Sequence, residues 1–374
     1  MLNGISLENF QLIKSVIPAE EKRMKAIVLH QKMDLRYEDV PDATIKDPKE
    51  VIVKMLTGGI CGSDQHYYTQ GGNGTAIVVR EPLVIGHEGC GIVEEVGKDV
   101  TKVKKGDMVV MRPARPCFKC YYCQRREYTY CEHVQHLGSA ALFPHTTGLF
   151  ADYVTVHEEQ CGVVHTLKPE VGAFAEPLGI AYSGINAVGN LLGKDVVVMG
   201  AGPIGCLCVA AAKTLGANSV TVVDIRGETL KIAKQMGADV VCNSKEDPEQ
   251  IEKWCEHKGS FDIGIEATGN GFACAQLMKL VRPQSIVSQV GMYGAGHEPK
   301  DFGPFAVKGI KWHSVFRFYD EFGAVVSALD RGLINPLPLL SKSFDASQCV
   351  EGMNAALSPD TMKVEYNFNG YKPE

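Results

Sequence analysis

Apolar residues along this chain change their rhythm near its middle. Up to about residue 178, short apolar runs rich in β-branched residues (Met24–His30, Glu50–Thr57, Gly91–Val96, Asp107–Met111) are separated by long coil punctuated with Gly and Pro. Runs of this kind predict strands, and coil of that length predicts loops that carry function. From Ala181 the order is stricter. A helical stretch, Ala181–Leu192, leads into strands at Asp195–Met199, Ser219–Val223, Val240–Cys242, Phe261–Glu266 and Ser285–Val290. Helical stretches such as Cys206–Leu215 and Glu228–Met236 lie between them. Strand–helix alternation predicts an α/β unit with a doubly wound parallel sheet. A helix at Phe322–Leu329 and short strand and turn segments complete the chain. The expected organisation is an extension over 1–23, a β-rich domain over 24–178, the α/β domain over 179–316, and a return to the first domain over 317–374.

Composition narrows the function classes. The 374 residues are 45% apolar and 22% charged, with a net charge of −6. That balance excludes a disordered chain and argues against a nucleic-acid or anionic-membrane partner. No apolar run reaches the roughly 18 residues that a membrane-spanning helix needs. The thirteen cysteines are an odd count, which suits reduced thiols and metal ligands better than a disulfide framework. The first 23 residues carry charges and no uninterrupted apolar segment of a secretory signal, so the cytoplasm is the expected compartment.

Three constellations carry chemistry. Val196–Met199 runs into Gly200-x-Gly202-x-Ile204-Gly205, and Asp224 ends the next strand. The glycines allow a tight turn, close approach of a pyrophosphate and close helix packing, and helix N-terminal amides hold the phosphates. A carboxylate at Asp224 favours NAD by accepting from ribose hydroxyls, while Arg226 leaves NADP open. Secondly, Cys117, Cys120, Cys123 and Cys131 crowd a fifteen-residue window. Four thiolates on one loop suit a closed, structural Zn²⁺ site; an iron–sulfur cluster or free thiols are the alternatives. Thirdly, Cys61, His87, Glu88 and Glu176 are dispersed, but together offer an open zinc site with room for a substrate oxygen. Spacing alone does not join them.

Taken together, these residues resemble the zinc-dependent medium-chain dehydrogenases. The run Gly86-His87-Glu88-x2-Gly91-x5-Gly97-x2-Val100 is similar to that family's zinc signature, and the cysteine quartet and glycine fingerprint follow in the family's order. Gly58–Tyr68, Arg112–Cys117, Gly138–His145 and Ala175–Leu178 resemble its polyol branch. The resemblance implies a GroES-like catalytic domain, with its structural-zinc loop at 112–135, joined to a Rossmann domain. It implies two Zn²⁺ per chain and NAD or NADP. Cys61 and His87 are implied as catalytic-zinc ligands, with Glu88, Glu176 or both completing the shell. Ser63 and His66 are implied as a proton relay, and Tyr67 as facing the substrate. Val290, Gly291, Met292, Val315, Phe316 and Arg317 are implied to line the cofactor with Ile204, and Arg317 also to hold substrate. The branch often carries a basic residue where this chain has Thr229. The leading substrate is a sugar acid, L-idonate, oxidised at carbon 5, with Arg317 or Arg115 meeting its carboxylate. A sorbitol- or xylitol-type polyol and glucose are the alternatives, and an NAD(H)-binding redox sensor is the non-enzyme reading. Relatives pair through the last strand of the nucleotide sheet, here about Lys311–Phe318, which implies a homodimer or homotetramer.

Overall fold

The computed structural model describes residues 23–74, 77–294 and 296–373. The expected extension, Arg23 apart, lies outside the described residues. Strand β1 (Glu50–Gly59) is the hub of a seven-stranded sheet. It pairs along its length with antiparallel β2 (Glu88–Val96). Its other edge is shared: Tyr153–His157 takes the first half, and Lys363–Asn367, near the C-terminus, takes the second. The last strand thus returns to the first sheet, where Gly59 lies between Glu88 and Glu365 in register. Helix α1 (Gly62–Gln70) leaves directly from the end of β1.

Helix α2 (Ala175–Asn186) begins six residues before the stretch expected from the pattern (181 − 175 = 6). Pro177 is its third residue, and the first turn of a helix has no partner for the missing N–H. The early start places Glu176 in that first turn. The second sheet has β3 (Asp195–Met199), β4 (Ser219–Asp224), β5 (Val240–Asn243), β6 (Phe261–Glu266), β7 (Val281–Gln289) and β8 (Lys311–Ser314). Their spatial order is β5-β4-β3-β6-β7-β8, and all five pairings are parallel. Val196, Val197 and Val198 are fully buried, as a strand covered on both faces requires. The order reverses between β3 and β6, which opens the ligand crevice of a doubly wound sheet. Helix α3 (Pro203–Thr214) starts at that crevice. Strand β8 stops at Ser314 instead of running to Phe318, because Arg317 takes a left-handed conformation (φ +64°) that breaks an extended run. Among the described residues, no helix is long and apolar enough to cross a membrane.

Candidate active site and metal centres

Two breaks in the first sheet bring Cys61, His87 and Glu88 together. Cys61 sits between the end of β1 and α1, while Gly86 (φ +91°) turns the chain just before β2. One ligand atom from each of the three lies within 4.8 Å of the others. Gly59 is needed here, since a Cβ at that position would stand 2.2 Å from Glu88 Oε2.

Two buried charges hold this cluster. Asp64 accepts from the Cys61 amide at 3.0 Å and the Gly86 amide at 3.2 Å, and its Oδ1 lies 3.7 Å from His87 Nδ1. Burial opposes a charge on His87, yet Asp64 and Cys61 raise its proton affinity well above that of an ordinary imidazole. Lys363, from the C-terminal strand, donates to Glu88 Oε1 at 2.7 Å and to the Ile60 carbonyl at 3.2 Å. Its ammonium also stands 2.6 Å from Glu88 Oε2, so one cation faces both oxygens of this buried carboxylate. Glu176 is buried beside the cluster but is not one of its three members. Burial pushes its carboxyl up to about 7, against the pull of His87. Lys363 and Asp64 went unassigned in the sequence; no spacing links Lys363 to a partner 275 residues away.

The cysteine quartet is a separate centre. All four Sγ atoms lie within 4.8 Å of one another, with Cys117–Cys123 at 4.0 Å and Cys120–Cys131 at 3.9 Å. Tetrahedral zinc with Zn–S near 2.3 Å sets sulfurs roughly 3.8 Å apart. Amides of Cys123 and Glu132 draw the Cys120 thiol down to about 6, while burial pushes Cys123 up to about 12. Without a cation the loop cannot carry four negative sulfurs.

The wall of the first site is built by the segment after the quartet. Gly138 (φ +64°) presses against the Gly86 carbonyl, which a Cβ there would meet at 2.2 Å. That contact brings His136 against His87, with ring centroids 5.6 Å apart in an edge-on arrangement. Burial, with His87 and Arg317 nearby, pushes His136 down to about 3. Buried Tyr67 receives the Ala140 amide at 3.3 Å, and its hydroxyl lies 3.4 Å from Ser139 Oγ. Ser63 is half-buried in the first turn of α1. His66 is exposed, with Nδ1 3.2 Å from Asn73 Oδ1, and that bond does not lead to the cluster. Arg317 lays its guanidinium 4.5 Å from the Phe316 ring centre, and no carboxylate pairs with it among the described residues. Arg115 instead lines a surface cavity of about 760 Å³ that includes none of Cys61, His87 or Glu88.

At the crevice of the second sheet, Gly200 has φ +102° and Gly205 packs so closely that a Cβ would lie 2.0 Å from the Gly200 carbonyl. Gly202 faces open space, and no side chain caps the helix it begins. Asp224 accepts from the amides of Ala201, Ile225 and Arg226 at 2.6, 2.6 and 2.9 Å. The Arg226 side chain reaches away to the Pro359 carbonyl at 3.0 Å, and Thr229 bonds the Arg226 carbonyl at 3.0 Å. Ile204, Val290, Gly291, Val315 and Arg317 are half-buried, whereas Met292 and Phe316 are exposed.

The residues fit both groups. A thiol, an imidazole and a carboxylate whose ligand atoms lie within 4.8 Å of one another are a donor set for zinc. An uncapped helix N-terminus behind an open glycine suits a pyrophosphate. Residues 47–168 match the model of the alcohol dehydrogenase GroES-like domain, and residues 203–331 that of the zinc-binding dehydrogenases. L-idonate 5-dehydrogenase (NAD(P)(+)) of Escherichia coli is 38% identical over 82% of this chain and 88% of its own length. Sorbitol dehydrogenase of Bacillus subtilis is 31% identical over 90% and 94%. The crystal structure of the E. coli L-idonate 5-dehydrogenase superposes with a TM-score of 0.87 at 34% identity, covering 93% of this chain and 99% of that one. A GroES-like unit joined to a parallel nucleotide-type sheet, with relatives of this kind over most of its length, makes the chain a member of the zinc-binding, NAD(P)-dependent alcohol dehydrogenase family, within its polyol and sugar-acid branch.

Proposed function

We propose that this enzyme oxidises the C5 hydroxyl of L-idonate to 5-ketogluconate, reversibly, in the cytoplasm, with NAD as the preferred acceptor. The observation that carries the reading is Arg317, a cation that meets no carboxylate among the described residues and borders the same wall as a three-donor metal cluster. A guanidinium is suited to a carboxylate, and a sugar acid offers one. Cys61, His87 and Glu88 would hold the catalytic zinc, with Glu176 beside them, and Cys117, Cys120, Cys123 and Cys131 the structural one. The chemistry supplied when zinc and nicotinamide are bound is Lewis-acid polarisation of the alcohol oxygen and acceptance of a hydride. The chain's own part is positional. Asp64 orients His87 and supports its basicity, as a carboxylate behind a ligating imidazole does. Lys363 restrains Glu88, Ser63 offers a hydroxyl through which the alcohol proton leaves, and Arg317 fixes the far end of the substrate. His66, being exposed, would serve only as the outer end of that relay. For the cofactor, Asp224 favours a free ribose 2′-hydroxyl, and the engagement of Arg226 with Pro359 withdraws the cation that a 2′-phosphate would need.

A substrate panel tests this. Purified enzyme is assayed with L-idonate, sorbitol, xylitol and glucose under NAD and NADP. L-idonate with NAD should give the highest kcat/KM. A higher value for a neutral polyol would overturn the sugar-acid reading in favour of a sorbitol- or xylitol-type dehydrogenase, the second reading that the 31% identity to sorbitol dehydrogenase supports. No chelator-sensitive turnover of any alcohol would overturn both.

A further inference from the structure

We propose that His136 is a substrate-selecting residue, whose Nε2 accepts a hydrogen bond from a substrate hydroxyl other than the one oxidised; this rests on the polyol and sugar-acid reading above. His136 Nδ1 lies 3.1 Å from the Leu137 carbonyl. A carbonyl only accepts, so Nδ1 carries the hydrogen and, in the neutral ring, Nε2 is left as the acceptor. Position follows from packing. Gly138 lets the segment press on the turn before His87, and the ring therefore stands edge-on to a zinc-type ligand, 5.6 Å away.

The chemistry of the wall explains why an acceptor matters. Arg317 can only donate, and Tyr67 already receives an amide. Glu88 is taken by Lys363, and Asp64 by two amides. A polyhydroxylated substrate brings several O–H donors into this cleft, and each left unpaired weakens binding about tenfold or more. Nε2 of His136 meets one of them. A simple secondary alcohol has no such hydroxyl and gains nothing from it.

The experiment compares His136→Leu and His136→Gln with the wild type on L-idonate, sorbitol and 2-butanol. Zinc content and NADH affinity are measured on each protein. Leu should lower kcat/KM for the polyhydroxylated substrates about tenfold or more and leave 2-butanol within about twofold. Gln, whose amide oxygen can stand in for Nε2, should restore most of the loss. Equal losses on 2-butanol and the polyols, unchanged selectivity, or loss of zinc would overturn the proposal, since each describes a prop for His87. A wild-type enzyme that oxidises 2-butanol but no polyhydroxylated substrate would overturn the function reading and this one with it. Equal losses alone would leave the function reading standing.

Discussion

Two clusters of metal-type ligands in one chain are built in opposite ways. The quartet takes four thiols from one loop, Cys117 to Cys131, and nearby amides, those of Cys117 and His133, donate to Cys131 Sγ at 3.2 and 3.4 Å. All its donors come from the protein, which closes the shell, as structural zinc requires. The second cluster draws Cys61, His87 and Glu88 from the ends of two strands, and its restraining ammonium from a third strand. It has three members, and one ammonium faces both oxygens of its carboxylate. A closed site can be written into a loop. An open one must be held by the sheet, because its ligands have to stay in place while a coordination position exchanges.

The largest test of that contrast is Cys61→Ala. If the open site carries the chemistry, kcat/KM should fall by about 10³-fold or more, the scale of losing Lewis-acid stabilisation worth several kcal/mol. Zinc should drop from two ions per chain to one, with thermal unfolding little changed. Retention of both ions would move the catalytic metal elsewhere. Next comes Lys363→Met, which leaves Glu88 buried without its cation. Breaking a buried pair from one side costs about 3–5 kcal/mol, so denaturant unfolding should show a loss of that size. A loss below about 1 kcal/mol would mean that bound zinc, and not Lys363, restrains Glu88.

The same contrast explains what could be read in the sequence. The parallel sheet was legible because β3 and its neighbours alternate with helices at regular intervals, and Gly200–Gly205 with Asp224 is a local motif. The quartet was legible for the same reason. Cys61, His87 and Glu88 are joined in the sequence by residue type, by the dinucleotide motif that accompanies them and by family resemblance, never by spacing, since their contact depends on the register of β1 and β2. Lys363 gave no signal: a lysine in a short C-terminal strand reads as an exposed charge until pairing with Gly59's strand buries it. The early start of α2 is hidden in the sequence because Pro177 reads as a helix breaker, although in a first turn it is tolerated. His136 gives no signal in the sequence, because its contact with His87 depends on the approach of Gly138 to Gly86.

A buried carboxylate outside both metal clusters sharpens the comparison. Glu158 also pairs with a lysine, Lys49 at 2.9 Å, but its second oxygen accepts the amides of Thr101 and Lys102 at 2.7 and 2.9 Å. Nothing on it is left for a metal. Burial alone would raise its carboxyl, yet Lys49 and those amides hold it at about 2, below the ordinary 4.5. The folded-state value is depressed, so its stabilisation is fully present above pH 4.5 and is lost as pH falls towards 2. The difference corresponds to about 3 kcal/mol. Wild type and Glu158→Gln should therefore differ by about that amount at pH 6 and converge near pH 2. A constant difference across that range would show that Glu158 acts through packing rather than charge.

The smallest effect tests whether the two regions are independent. Cys120→Ser should remove one zinc per chain and loosen the loop, lowering Tm by roughly 2–3 °C if about 2 kcal/mol is lost. Well below that temperature kcat should persist, since no quartet member belongs to the open cluster. Independence is not complete, however. Tyr128 packs on Tyr319 with ring centres 4.5 Å apart, Tyr130 stacks on Phe316 at 6.5 Å, and His136 follows Cys131 by five residues. A loosened loop thus touches the residues flanking Arg317 and the segment that carries His136. The expected kinetic signature is a rise of a few fold in KM for L-idonate with kcat nearly unchanged. A fall in kcat as deep as that of Cys61→Ala would show instead that the closed site helps to hold the open one.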